Sequence, residues 1–354
     1  MRVMGIETSC DETAAGVVDV LADGRLQLVA NVVHSQVGTH AAYGGVVPEV
    51  ASREHVTRLV DVVERAGAEA GGLERIEGIA VTRGPGLLGC LLVGLQTAKG
   101  LALARNLPWV GVHHLEGHLS AALLDAAPPS YPHVALVVSG GHTNLYQVRD
   151  FGDYTVLGRT RDDAAGEAFD KVAKILGLGY PGGIRIERAA EGGRCDGVPL
   201  PRGIPAKKSY EFSFSGLKTA AAQHVQHAGG RLTGAALRDF CASVQEAIAD
   251  ILSKKAVLAA RRLGVPGVVL AGGVAANTRL RELLTQRCAD KGLWAYLPPK
   301  PLCTDNGAMI AAAGAMRLAR GEASDWETSA RSRWPLTEAT DASVPQLAGQ
   351  GAPR

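Results

Sequence analysis

Two imidazoles stand four residues apart in His114-Leu115-Glu116-Gly117-His118. On a helix, positions i and i+4 share one face, one turn apart. Two nitrogen donors so placed form half of a metal site. His113 adds a third imidazole beside them. A zinc peptidase carries its glutamate directly after the first histidine, where it can act as base. Glu116 comes two residues on, roughly 200° around the helix at about 100° per residue, and so faces away from an ion. Two imidazoles need a further donor, usually a hard carboxylate. Asp305, in Cys303-Thr304-Asp305-Asn306-Gly307 ahead of an alanine-rich stretch, is the best placed. Aspartate is also a favoured helix cap. Thr304 can cap equally well, which would free Asp305 to ligate.

Other turns offer partners for a nucleotide. Thr8-Ser9-Cys10-Asp11-Glu12-Thr13 has hydroxyls, Ser9 among them, suited to phosphate, and in Asp11 and Glu12 two carboxylates that can accept a proton. A polar hairpin loop would read the same way. Ser139-Gly140-Gly141 would aim backbone N–H groups at a phosphate or a developing oxyanion, or would simply close a tight hairpin. Gly272-Gly273-Val274-Ala275-Ala276-Asn277 lets backbone approach a purine and offers it the Asn277 amide, or else starts a helix. Glu167 and Asp170 share a helical face, and Asp170 suits ribose hydroxyls or a neighbouring cation. Tyr180-Pro181-Gly182-Gly183 is a tight turn on which a ring can lie. Metal donors together with glycine turns point to chemistry on a phosphate-bearing substrate.

The elements that would hold these residues have an α/β pattern. Val3 to Asp19 and His133 to Asp150 each read as strand, polar turn, strand. Ile76 to Thr82 and Gly267 to Ala271 each read as a strand entering a glycine turn and then a helix. The same order in both halves predicts a duplicated domain with a cleft between the copies. Helices are expected over 49–70, 87–105, 115–125, 166–177, 214–226, 233–263, 277–286 and 305–320. The domains expected are 1–127, carrying the histidines, and 128–320, carrying the nucleotide elements, with the last helix returning to the cleft. An irregular tail from 321 to 354 would follow. The joint is Ala126-Ala-Pro-Pro-Ser-Tyr-Pro132.

A chain of 354 residues is more than one core's worth, in keeping with two domains. The 44 glycines follow no period, which excludes collagen-like and low-complexity chains. The net charge of +2 neither demands nor excludes nucleic acid. A basic stretch carries Arg185, Arg188, Arg194, Arg202, Lys207, Lys208 and Lys218. It is either part of a nucleic-acid surface or a solvated loop. The six cysteines show no CxxC, as in a reduced cytosolic protein. The apolar start before Glu7 is too short for a signal sequence, and the longest uncharged run, 85–98, is too short to span a bilayer. A cytoplasmic protein, with no membrane partner, is the expectation.

Taken together these motifs resemble one family. Lys99-Gly100, Asn106-Leu107-Pro108 and His114-Leu-Glu-Gly-His118-Leu119 match its signature. So do Gly5-Ile-Glu-Thr-Ser-Cys-Asp-Glu-Thr13, Val138-Ser-Gly-Gly-His-Thr143, Asp162-Asp-Ala-Ala-Gly-Glu-Ala-Phe-Asp-Lys171, Phe212-Ser-Phe-Ser-Gly-Leu-Lys218 and Ala271-Gly-Gly-Val-Ala-Ala-Asn277. The family is the tRNA N6-adenosine threonylcarbamoyltransferases, TsaD (Gcp or YgjD), once called O-sialoglycoprotein endopeptidases. The resemblance implies an α/β fold like actin, Hsp70 and sugar kinases: two ribonuclease-H-like domains about an interdomain nucleotide cleft. It implies His114, His118 and Asp305 as ligands of one divalent metal per subunit, usually iron, though the donor set also suits zinc or manganese. It implies Val137, Val138, Ser139, Gly140, Gly141, Asp170, Gly183, Glu187 and Asn277 as substrate contacts. It further implies threonylcarbamoyl-AMP and tRNA as substrates and TsaB and TsaE as partners. Three positions depart from the pattern: Arg105 where an apolar residue is usual, Ile184-Arg185 after the double glycine, and Glu187 in place of aspartate. The rival readings are an ATP-dependent phosphotransferase or ATPase of the same fold, a zinc metallopeptidase, and a nucleotide-gated scaffold without catalysis.

Overall fold

The computed structural model describes residues 1–339, so part of the expected tail lies outside the described residues. The chain opens with strands β1 (Arg2–Glu7), β2 (Glu12–Val20) and β3 (Leu26–Ser35), then helices α1 (Val37–Ala41) and α2 (Pro48–Glu69). β4 (Gly78–Gly84), α3 (Leu88–Arg105), β5 (Trp109–His113) and α4 (His114–Ser120) follow. Three more strands come next, β6 (His133–Val138), β7 (Thr143–Asp150) and β8 (Asp153–Arg159). After them run α5 (Ala165–Ile175), α6 (Gly182–Ala189), α7 (Ser215–His227) and α8 (Gly234–Leu263). The rest is β9 (Gly267–Ala271), α9 (Thr278–Ala289), β10 (Trp294–Tyr296) and α10 (Gly307–Ala319).

These elements form two compact units, each around one five-stranded sheet. The first sheet has the order β3-β2-β1-β4-β5 and the second β8-β7-β6-β9-β10, read from the matching edge. In both, the first three strands pair antiparallel and the last two join parallel. This common topology is the duplication the sequence pattern predicts.

One boundary differs from expectation. The first unit holds Met1–Gln36, Val46–Pro128 and everything from Asp305 onward, while Val37–Gly45 and Pro129–Thr304 make up the second. The helix expected at 305–320 therefore packs in the first unit, not with 128–304. Steric fit explains this. The central strands β1 and β2 are buried on both faces, so they carry apolar runs without polar alternation. Met4, Ile6, Ala15 and Val17 pack under Leu59 and Val62 of α2 and Leu95 and Ala98 of α3. Val3 and Val18 face the other way, onto Met309, Ala312 and Ala315 of α10. The alternate positions on that second face are glycines. A Cβ on Gly5 would lie 2.1 Å from Ala311 N, and one on Gly16 2.3 Å from Ala308 N. A Cβ on Gly307 would lie 2.1 Å from Gly16 N. α10 thus lies with its backbone against the sheet, as side-chain packing would not allow.

In the second unit, Val134, Leu136 and Val138 of β6 pack with Phe169 and Val172 of α5, and with Val244, Ile248 and Leu252 of α8. α6 stands where a turn alone is expected. Two glycines open it, a poor start by propensity. A tertiary bond compensates, since Gly182 N–H donates to Asp170 Oδ1 at 2.6 Å. No helix among the described residues is long and apolar enough to cross a membrane.

Replacing Gly5 by alanine should cost about 1–3 kcal/mol, because the added methyl meets backbone rather than a yielding side chain. Denaturant unfolding of Gly5→Ala checks this, and an unchanged midpoint would refute the close-contact account.

Candidate metal centre and substrate-binding elements

β5 ends at His113 and α4 begins at once, so the two imidazoles sit at the sheet's edge on a short buried helix. His113 is not a third donor. Its Nδ1 accepts from Leu115 N–H at 3.1 Å and caps α4. Its Nε2 lies 2.8 Å from the Trp334 carbonyl and donates to it. His114 and His118 are both buried, with ring centroids 4.8 Å apart and planes at 81°. Asp305 joins them: its Oδ1 is 3.0 Å from His118 Nε2 and 3.6 Å from His114 Nε2. Neither Asp305 nor Thr304 caps α10. The cap is Asn306, whose Oδ1 accepts from Met309 N–H at 2.9 Å.

The three residues present one ligand atom each within 4.8 Å of one another. The His118 contact is close, yet neither of that ring's nitrogens has a hydrogen-bond partner among the described residues. A buried polar atom so placed fits a shared cation better than a shared proton. Two ligands with bonds of about 2.1 Å stand about 3.0 Å apart at right angles and about 3.4 Å apart at a tetrahedral angle. The His118–Asp305 separation falls in this range and the His114–Asp305 separation of 3.6 Å lies just beyond it, so the residues fit a metal after a small movement of side chains.

A second layer orients His114. Its Nδ1 faces Glu7 Oε2 at 3.1 Å and Ser9 Oγ at 3.2 Å, which leaves Nε2 towards Asp305. Glu7, fully buried, also accepts from Thr82 Oγ1 and Ser9 N–H. A carboxylate behind a ligating imidazole fixes its tautomer and raises its basicity. Burial works against a charge on His114, but Asp305 and Glu7 outweigh it and raise the metal-free imidazole to about 9. Burial also opposes ionisation of Glu7, yet His114 holds its carboxyl below the usual range. The loop that carries these groups fits because of glycines. A Cβ on Gly86 would lie 2.6 Å from Ser9 O, and one on Gly94 2.3 Å from Thr8 Oγ1.

Asp11 and Glu12 follow on this loop. Burial, then Asp11 and Asp305, push the Glu12 carboxyl well above its usual range. The same three causes, in the same order, push the Cys10 thiol up. His55 anchors the loop: Thr13 Oγ1 lies 2.7 Å from its Nδ1, and its Nε2 lies 3.0 Å from the Cys10 carbonyl.

The second unit holds the other expected contacts. The turn between β6 and β7 closes through Ser139 N–H to the His142 carbonyl at 2.8 Å. The Ser139 amide is therefore engaged. The Gly140 and Gly141 amides have no partner among the described residues, and a Cβ on either would meet open space. Gly272 lets its loop reach this turn, because a Cβ there would lie 2.4 Å from Val138 O. The Val137 and Val138 side chains are fully buried, so a ligand would meet only their backbone. Asp170 caps α6, next to Gly183. Glu187 of α6 accepts from Thr278 N–H at 3.0 Å and from Asn277 Nδ2 at 3.4 Å. Asn277 Oδ1 caps α9 through Leu280 N–H at 3.0 Å. So Glu187 and Asn277 meet. Ser9, expected as a substrate contact, has its hydroxyl 3.2 Å from His114 Nδ1.

A family profile described as "TsaD: tRNA N6-adenosine threonylcarbamoyltransferase" matches residues 27–312. The chain belongs to this family. A TsaD chain is an acyltransferase of tRNA modification, and members of this family use a metal. Proteins named tRNA N6-adenosine threonylcarbamoyltransferase are similar along nearly all of the chain. The one from Anaeromyxobacter dehalogenans (strain 2CP-C) is 55% identical over 337 residues, covering 95% of this chain and 99% of that protein. The one from Syntrophus aciditrophicus (strain SB) is 53% identical over 337 residues, covering 95% and 98%. Two solved structures share the fold. Component A of the Acidaminococcus fermentans (R)-2-hydroxyglutaryl-CoA dehydratase aligns at TM-score 0.52 and 17% identity, over 90% of this chain and 99% of that one. HypF of T. kodakarensis aligns at TM-score 0.59 and 15% identity, over 90% and 48%. Such neighbours place the TsaD fold among actin-like and sugar-kinase-like ATPase folds.

The sequence motifs do not single out Glu7; its signal is a carboxylate at the end of the apolar run Val3–Ile6. Glu7→Gln should weaken metal binding by about 10–100-fold, and His118→Ala should abolish stoichiometric uptake. Metal must also displace the His114 proton below pH about 9. Apparent affinity should therefore rise by up to about tenfold per pH unit towards that value and level off above it. Titration with cobalt(II) across pH checks all three.

Proposed function

We propose that this chain transfers the threonylcarbamoyl group from threonylcarbamoyl-AMP to N6 of adenosine 37, in tRNAs that read codons beginning with adenine, and releases AMP. The convergence of His114, His118 and Asp305 in a chain of this family carries the reading. The ion is taken to be iron(II), and when bound it supplies Lewis-acid polarisation of donor oxygens. The N6 nitrogen attacks the carbamoyl carbon, the bond to the phosphate oxygen breaks, and the N6 proton goes to a carboxylate. That nitrogen is a poor nucleophile, because its lone pair is delocalised into the purine. The protein must therefore position it and take its proton.

Glu12 and Asp11 are the proposed proton acceptors. Glu12 suits the role because its raised pKa brings it nearer a working pH. The Gly140 and Gly141 amides would meet negative charge on the donor, at about 3 kcal/mol per donor in comparable sites. Asp170, Gly183, Glu187 and Asn277 would hold the adenylate's ribose and base. Glu187 and Asn277 already bond each other, so a ribose would displace or share that contact.

Exposed Lys207 and Lys208 are proposed as tRNA contacts. Arg202 of the same stretch is engaged by Asp250 at 2.7 Å and contributes less. TsaB and TsaE as partners and a cytoplasmic location belong to the same reading. The peptidase alternative loses support, because Glu116 is bonded to Arg317 at 2.7 Å and is not available as a base.

Incubation with threonylcarbamoyl-AMP, tRNA and the partner proteins should yield modified adenosine and AMP. Phosphate release from ATP without modified tRNA would favour a phosphotransferase. Glu12→Gln should lower the chemical rate by about 10²–10⁴-fold if it takes the proton. The wild-type rate should rise with pH through a carboxyl transition above the ordinary range, and this limb should be lost in Glu12→Gln. Near-normal rates in both Glu12→Gln and Asp11→Asn would remove the base assignment. Charge reversal of Lys207 and Lys208 should weaken tRNA binding and flatten its salt dependence.

A further inference from the structure

We propose that Glu116 and Arg317 are a positioning pair for the metal centre: their buried ion pair fixes the helix that carries both histidines against the helix that follows Asp305. The proposal rests on reading His114, His118 and Asp305 as ligands of one ion. α4 carries both imidazoles, and Asp305 stands two residues ahead of α10. The three donors converge only if α4 and α10 keep one register.

Glu116 is fully buried and Arg317 is 6% exposed. They meet fork to fork, with Nε to Oε2 at 2.7 Å and Nη2 to Oε1 at 2.9 Å. The rest of the guanidinium is also placed. Nη1 donates to Glu322 Oε2 at 2.6 Å and Nη2 to the Ala339 carbonyl at 3.1 Å. Gly117, beside Glu116, lets the helices close up, since a Cβ there would lie 2.7 Å from Ile310 Cδ1.

Stability alone does not call for such a pair. Apolar residues of similar volume often replace a buried ion pair at no loss. An apolar contact sets spacing without a directional bond, however, whereas a planar two-bond fork sets both angle and distance. Metal bonds of about 2.0–2.2 Å make the site sensitive to such a slide. α10 is buried along nearly its whole length, so it carries a constraint at Arg317 back to Asp305. In this account the glutamate inside the histidine motif is neither base nor ligand. It ties the ligand helix to the element that brings the oxygen donor.

The test uses the full chain with cobalt(II) as probe, reading affinity by titration, geometry by visible absorption, and metal-free stability by denaturant. Arg317→Lys keeps the charge but loses the fork. Glu116→Gln/Arg317→Gln removes both charges and leaves no lone buried ion. Both should bind cobalt at least tenfold more weakly, with a shifted or broadened spectrum, while metal-free unfolding stays near the wild type. Should the double variant not fold, Arg317→Lys decides. Folded variants with wild-type cobalt affinity and spectrum overturn the proposal. So does a variant that is less stable without metal yet has an unaltered cobalt spectrum, because that marks a purely structural pair. Equal cobalt uptake by wild type and His118→Ala is a separate failure: it overturns the ligand assignment, and the pair's role with it.

Discussion

The contact between α10 and the first sheet is the constraint on which the rest depends. Gly5, Gly16 and Gly307 let a helix backbone lie directly on strand backbone. This closeness brings the residue two places before the helix, Asp305, to within 3.0 Å of an imidazole more than 180 positions earlier in the chain. Side chains on those glycines would lift the helix by the thickness of a methyl group or more. The donor triangle would open although every ligand remained. Steric permission at three positions thus precedes the chemistry.

Electrostatics then selects what the triangle can hold. Glu7, Asp11, Glu12 and Asp305 lie close enough that their charges shift neighbouring titrations. Carboxylates gathered away from water demand protons or cations. In the metal-free protein part of that demand falls on His114, which Asp305 and Glu7 protonate at neutral pH against the effect of burial. A divalent cation answers it better, since it neutralises more charge and lets the imidazole turn its lone pair inward. A cation held by His114, His118 and Asp305 and the raised Glu12 carboxyl would therefore be one charge-balance problem. A cation beside Asp305 would weaken the field on Glu12 and tune how readily it takes a proton.

Much of this was legible in the sequence, for local reasons. The strand–turn–strand and strand–glycine–helix repeats appear as α/β units because their periodicity is intrinsic to the segments. The histidine spacing predicts a shared face, and the rings do share one. Less legible is what depends on tertiary fit. Residues from 305 onward join the first unit because of glycines whose role shows only when the helix lies on them. Asn306 caps α10, not Thr304 or Asp305, a choice among three adjacent polar residues that the surroundings settle. The Ser9 hydroxyl looks made for phosphate but meets His114. α6 forms where a turn was expected, because Asp170 supplies a partner twelve residues earlier.

The duplication explains how one chain presents two equivalent turns with different side chains. β1–β2 and β6–β7 occupy the same place in their sheets, and so do the turns that join them. The first turn is dressed with Thr8, Ser9, Cys10 and Asp11, the second stripped to Ser139, Gly140, Gly141 and His142. Each is closed over by a glycine that follows the next parallel strand. After β4 it is Gly86, where a Cβ would lie 2.6 Å from Ser9 O; after β9 it is Gly272, where a Cβ would lie 2.4 Å from Val138 O. The scaffold contact is thus the same in both units, and only the side chains on the turn differ. The first turn carries hydroxyls and carboxylates, and its Ser9 hydroxyl stands behind His114. The second leaves the Gly140 and Gly141 amides without a partner among the described residues, a backbone arrangement of the kind that suits an anion.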